Sequence, residues 1–130
     1  MRRALTLVIG SALVFGLAQL PASSEVDCTR TGSPERDEIE GTEHRDIICA
    51  KAGPDYAHGH KGPDDVRGGD GSDTLVGGNG ADGVEGGSGA DDLFGVDSST
   101  SDVINGGGGQ DNCYGDRGDV FIGCEHIARV

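Results

Sequence analysis

Aspartate returns at a fixed interval through most of this chain. It stands at positions 37, 46, 55, 64, 73, 82 and 91, seven times at a spacing of nine, and then at 102, 111 and 119 after steps of eleven, nine and eight. Two residues beyond each aspartate come Ile39, Ile48, Ala57, Val66, Leu75, Val84, Leu93, Ile104, Cys113 and Phe121. An acidic column and an inward-capable column therefore keep phase for ten rows. A short fixed period of this kind means one structural unit stacked many times, each copy burying its apolar side only against its neighbours. The phrase is clearest over residues 68–94, which read GGDGSDTLV GGNGADGVE GGSGADDLF.

Each row reads as a glycine-rich turn of about six residues followed by a three-residue strand whose middle side chain points inward. Two rows make one coil, with strands on opposite faces and single apolar side chains meeting between them. Five such coils form an all-β parallel solenoid in which the aspartates of rows i and i+2 stack along one edge. Composition agrees with so thin an interior: 34% of residues are hydrophobic, 4% are aromatic and there is no Trp. A formal charge of -13 excludes a general attraction to nucleic acid or to anionic membranes and points to cations.

Carboxylates piled one above another repel, so the metal-free chain is expected to be loose. A hard divalent cation between neighbouring turns neutralises two aspartates and takes turn carbonyls as further oxygen ligands. Oxygen donors at flexible geometry suit Ca²⁺ better than Mg²⁺, which demands a strict octahedron, or Zn²⁺, which prefers nitrogen and sulfur.

Residues 68–76, 77–85, 86–94 and 106–114 resemble, position for position, the haemolysin-type calcium-binding nonapeptide (RTX) repeat. The resemblance implies a right-handed parallel β-roll, or β-helix, with Ca²⁺ held between successive turns by the sixth-position aspartates and by turn carbonyls. It implies one ion shared by Asp73 and Asp91, another by Asp64 and Asp82 on the opposite edge, and a third by Asp91 and Asp111. Carbonyls near Gly68, Gly69, Gly71, Gly77, Gly78, Gly80, Gly86, Gly87, Gly89, Gly106, Gly107 and Gly109 complete the shells. Rows 32–40 and 41–49 keep only the first glycine, row 50–58 has lost both leading glycines, and row 59–67 has His60 in place of the second. Row 95–105 is two residues too long and row 115–122 one too short, so calcium is expected between residues 59 and 114.

The remaining segments read differently. Arg2 and Arg3, an apolar run from Ala4 to Leu20 and small residues near 22–24 have the order of a secretory signal peptide, assigning 1–24 to a leader. Its removal takes the charge from -13 to -15. Residues 25–58 form an N-terminal cap with degenerate repeats, 59–114 the calcium-binding repeats, and 115–130 a C-terminal cap. Four cysteines behind a signal peptide read as two disulfides. About four coils separate the pair Cys28 and Cys49 from the pair Cys113 and Cys124, beyond the ~7 Å that bridged Cα atoms span, so each pair staples its own end. Strict register puts Cys28 in the aspartate column, which predicts that the first cap slips.

No combination of nucleophile, base and oxyanion hole stands out. GGSGA at 86–90 lacks the last glycine of a nucleophile elbow. His58-Gly-His60 could bring two imidazoles to a transition metal, but its position reads as turn residues on a wet edge. The function expected is that of a secreted, extracellular, non-catalytic module whose folding depends on calcium, with no membrane insertion after leader cleavage and a macromolecular partner the sequence does not name. The alternatives are a metal-independent solenoid held by its disulfides for ligand or surface binding, and an accessory part of a secreted enzyme or toxin.

Overall fold

The computed structural model describes residues 27–97 and 101–130. The leader assigned to 1–24 and the centre of the insertion, 98–100, lie outside the described residues. Twelve strands divide by parity into two six-stranded parallel sheets. One holds β1 (Arg30–Thr31), β3 (Ile47–Ala52), β5 (Asp65–Asp70), β7 (Gly83–Ser88), β9 (Val103–Gly108) and β11 (Val120–Ile122) in that order. The other runs β2 (Glu38–Thr42), β4 (Tyr56–Lys61), β6 (Thr74–Asn79), β8 (Asp92–Phe94), β10 (Asn112–Gly115) and β12 (His126–Arg129). Successive strands thus alternate between sheets, and two nine-residue rows make one coil of an all-β solenoid.

Register follows from that coil length. Ile48 pairs with Val66 and Val66 with Val84, each 18 residues on, while Val84 pairs with Ile104 across 20. The two extra residues of the insertion are absorbed between β8 and β9, because slipping the ladder by an odd residue would turn the apolar column outward. Leu75 pairs with Leu93 and Leu93 with Cys113 in the other sheet. Strands prove longer than the three residues read from the sequence. They run on through the glycine pair, with Gly69 opposite Gly87 and Gly87 opposite Gly107.

The core is the inward column with Ala50 beside it. Ile39, Ala57, Leu75, Leu93 and Cys113 from one sheet meet Ile48, Val66, Val84 and Ile104 from the other, and none is more than 9% exposed. Phe121, last in the column, is half-buried, with the Arg129 guanidinium 4.6 Å from its ring centre. Only one inward residue per row leaves no second layer of packing, so the turns must be held by something besides apolar contact.

Both ends are stapled as the solenoid requires. Cys28 bonds to Cys49 with Cα atoms 5.9 Å apart, and Cys113 to Cys124 at 6.0 Å. The expected slip of the first cap is absent: Arg30 pairs with Ile48 and Thr31 with Cys49, the same 18-residue register as elsewhere. The short β1 keeps its ladder, and Cys28 just ahead of it reaches the cysteine on β3. At the other end the chain returns after β11 to add β12 beside β10, with Cys113 opposite Ile127.

Candidate metal ladder

Each row turns a corner immediately before its aspartate, and there the side chain points into the solenoid edge instead of out to water. Asp46, Asp55, Asp64, Asp73, Asp82, Asp91, Asp102, Asp111 and Asp119 are all at most 4% exposed. One oxygen of every one but Asp46 has a fixed duty, accepting the backbone N–H of the aspartate one coil earlier; Asp46 Oδ1 takes the Thr29 hydroxyl at 3.1 Å instead. On one edge Asp55 accepts from Asp37 at 2.7 Å, Asp73 from Asp55 at 2.8 Å, Asp91 from Asp73 at 2.8 Å and Asp111 from Asp91 at 3.0 Å. On the other, Asp64 accepts from Asp46 at 2.7 Å, Asp82 from Asp64 at 2.8 Å, Asp102 from Asp82 at 2.8 Å and Asp119 from Asp102 at 2.9 Å. The pairs 73 and 91, 64 and 82, and 91 and 111 therefore stand one coil apart, each joined by one hydrogen bond.

The second oxygen has no such duty in the middle of the ladder. Oδ2 of Asp55, Asp64, Asp73, Asp82, Asp91, Asp102 and Asp111 is buried without a hydrogen-bond partner. A buried acceptor left unpaired costs roughly 1–3 kcal/mol, more when charged. Seven in succession make an unsatisfied column of acceptors that suits positive charge, not a local flaw. Other oxygens crowd the same corner. A Cβ on Gly68 would fall within 3.0 Å of Asp73 Oδ2 and of the Gly86 carbonyl, and one on Gly86 would meet Asp91 Oδ2 and the Gly106 carbonyl as closely. Only glycine lets carboxylate and carbonyl approach the chain there.

Electrostatics record the same stress. Burial pushes the Asp64 carboxyl up to about 6, eased by the amide of Asp46 and reinforced by Asp82 and Asp46. Asp91 is pushed up to about 6 and Asp102 to about 7 for the same reasons. Asp73 and Asp82 are raised as well, again chiefly by burial. Such carboxyls resist ionisation until a cation joins them. Their surroundings offer oxygen donors only, which is the donor set of a hard cation.

Residues 58–93 and 96–122 match the RTX calcium-binding nonapeptide repeat in four copies. The chain is an RTX repeat protein. These repeats bind Ca²⁺, and the buried oxygens are the chemistry that such an ion needs. No curated protein and no solved structure matches the chain.

The RTX geometry reaches further than the four matched copies. Coils from β1 onward keep the same register, and Asp55, ahead of the matched residues, has the same orphaned oxygen as Asp64, Asp73, Asp82, Asp91, Asp102 and Asp111. Toward the N-terminus the second oxygen is satisfied from within the chain. Asp37 Oδ2 accepts from the Ser33 amide and, at 2.9 Å, the Ser33 hydroxyl; Asp46 Oδ2 accepts from the Thr42 amide at 2.6 Å and the Thr42 hydroxyl at 2.7 Å. Although burial works to raise Asp46, the Thr42 hydroxyl and amide and the Thr29 hydroxyl outweigh it and hold this carboxyl low. The opposite end closes likewise, with Glu125 accepting the Asp111 amide at 2.9 Å and Asp119 Oδ2 the Asp116 amide at 2.5 Å. Sequence reasoning missed these plugs, whose signal is a hydroxyl four residues before the aspartate where the repeat elsewhere has glycine.

The second glycines are placed by backbone conformation. Gly69, Gly78, Gly87 and Gly107 have φ between 93° and 108°, and a Cβ on each would strike the carbonyl of the residue one coil earlier. Lys51 and His60 occupy that position with φ of 87° and 82° and carry the strain of a left-handed backbone. His58 and His60 are not turn residues as the sequence suggested. Both lie in β4, whose ladder sets Glu40 directly opposite His58.

Proposed function

We propose that this RTX protein is a secreted, non-catalytic module that completes its fold by binding Ca²⁺ between successive turns. The observation that carries the reading is the run of seven buried aspartate oxygens without partners, flanked at both ends by rows whose carboxylates are already satisfied. Asp64, Asp73, Asp82, Asp91 and Asp111 supply the carboxylates, with Asp55 and Asp102 as further members in the same setting. Glycine carbonyls at Gly68, Gly69, Gly71, Gly77, Gly78, Gly80, Gly86, Gly87, Gly89, Gly106, Gly107 and Gly109 are the remaining oxygen donors. The ion neutralises the facing carboxylates, and the chain's own amides and glycines orient them beforehand.

Secretion is supported by the leader-like order of residues 1–24 and by two disulfides, which persist in oxidising compartments. Extracellular modules bind Ca²⁺ at about 10⁻⁴ to 10⁻³ M, a range that keeps such a chain loose inside a cell and rigid outside it. We assign residues 59–114 as the calcium-binding repeats, with 25–58 and 115–130 as caps, Asp55 facing the first repeat from the N-terminal cap. Far-UV circular dichroism of the oxidised protein tests this. A cooperative gain of β signal with Ca²⁺ and not with Mg²⁺, starting from chelator, is expected. A spectrum already complete in chelator and indifferent to Ca²⁺ would replace this reading with a solenoid standing on its disulfides.

A further inference from the structure

We propose that Glu40, His58 and His60 form a second metal site, on the outer face of the sheet containing β2 and β4, selective for a borderline dication such as Zn²⁺. Their ligand atoms all lie within 4.8 Å of one another. Glu40 Oε2 stands 2.5 Å from His60 Nε2 and 3.6 Å from His58 Nδ1, and the imidazole centres are 4.0 Å apart. Ligands about 2.1 Å from one ion at tetrahedral angles stand about 3.4 Å apart, so the observed separations bracket the requirement and small side-chain rotations meet it. The three side chains are 27–47% exposed, open enough for an ion to enter from solvent and for water to complete its shell.

The donor set separates this site from the calcium ladder. Two imidazoles and one carboxylate suit Zn²⁺ or its borderline neighbours, whereas Ca²⁺ takes oxygen alone. Position also separates them, since the ladder oxygens point into the solenoid edge and these side chains point outward from a sheet. The Lys61 ammonium, the nearest fixed positive charge on β4, is engaged by Glu43 at 2.7 Å. His60 occupies a slot where the matching residues are Gly69, Gly78, Gly87 and Gly107, and it holds φ at 82° to do so. Lys51 shares that backbone state, so strain alone does not mark the site; the convergence of three ligand-bearing side chains does. An ion here ties β2 to β4, clamping the hydroxyl-plugged N-terminal coil to the first of the orphan-oxygen rows.

Isothermal titration of the oxidised, Ca²⁺-saturated protein with ZnCl₂ tests the assignment, beside His58→Ala, Glu40→Gln and His60→Gly. One equivalent of Zn²⁺ is expected, with affinity falling at least tenfold in each variant while the Ca²⁺ titration followed by circular dichroism stays unchanged. His60→Gly restores the residue of the neighbouring rows, so its loss of Zn²⁺ binding is not a folding defect. Absence of a Zn²⁺ isotherm, or one that survives both His58→Ala and His60→Gly, overturns the site and leaves the calcium reading untouched.

Discussion

Acid should substitute for calcium in this fold. The carboxyls of Asp64 and Asp91 are held up to about 6 and that of Asp102 to about 7 in the folded chain, against 3.8 for an ordinary aspartate. A carboxyl whose folded value lies above its unfolded value favours folding when protonated. Its contribution is complete below about 3.8 and is lost as pH rises through 6 to 7. At 1.36 kcal/mol per unit, each of these groups is worth on the order of 3 kcal/mol between those limits. The chelated protein at pH 8 bears the whole penalty, and at pH 5 about half of it is gone.

The assay is far-UV circular dichroism in chelator from pH 8 down to 4, on the oxidised protein. β signal is expected to rise as pH falls, with the change spread between pH 7 and 4. Asp46 sets the lower bound of the window. Its carboxyl is held below 3.8 in the folded chain, so its contribution is present above that value and lost as pH falls further. The same linkage governs metal affinity, which should weaken by about tenfold per pH unit for each proton the ion displaces below pH 6. A chelated protein that loses β signal between pH 7 and 5, or Ca²⁺ affinity flat across that range, would refute the claim that buried ladder carboxylates oppose the metal-free fold.

Other perturbations probe separate parts of the structure. Gly87→Ala forces a Cβ against the Gly69 carbonyl at φ 108°, and should lower stability by about 1–3 kcal/mol in urea unfolding with Ca²⁺ present. Thr42→Val removes the hydroxyl from Asp46 and should cost about 1–3 kcal/mol in the chelated protein at pH 5, read from the same denaturant curves. Replacing Cys113 and Cys124 together by Ala opens an 11-residue loop and should cost about 3 kcal/mol, visible as a lower thermal midpoint.

The periodic columns were legible in the sequence because glycine and aspartate have few reasons to recur in phase with an apolar residue except to build turns, ligands and core in one repeated unit. Coil length, strand parity, the core side chains other than Ala50 and both cysteine pairs follow from that phase. Strand length did not, since glycines that read as turn also pair across coils, as Gly69 does with Gly87. Which carboxylate oxygen is free is also invisible in a sequence: it depends on the amide of one coil consuming Oδ1 of the next. The partnership of Glu40 with His58 needed the 18-residue register applied outside the two conspicuous columns, to residues that point away from the core.

The ends explain why the ladder stops. A stack in which every coil lends an amide to the next carboxylate has an inherent direction, leaving an unfilled acceptor at one end and an unfilled donor at the other. At the N-terminal end the Thr29 hydroxyl donates to Asp46 Oδ1 in place of an aspartate amide, while Ser33 and Thr42, standing where later rows have glycine, donate to Oδ2 of Asp37 and Asp46. At the C-terminal end Glu125 takes the Asp111 amide that a further aspartate would have accepted. The chain's own donors thus satisfy Oδ2 at both ends, which the middle of the ladder leaves without a partner, and the disulfides close the coils at each end against fraying. The seven orphaned oxygens are then a bounded set of acceptors for positive charge, and on the proposed reading calcium from outside the chain is what satisfies them.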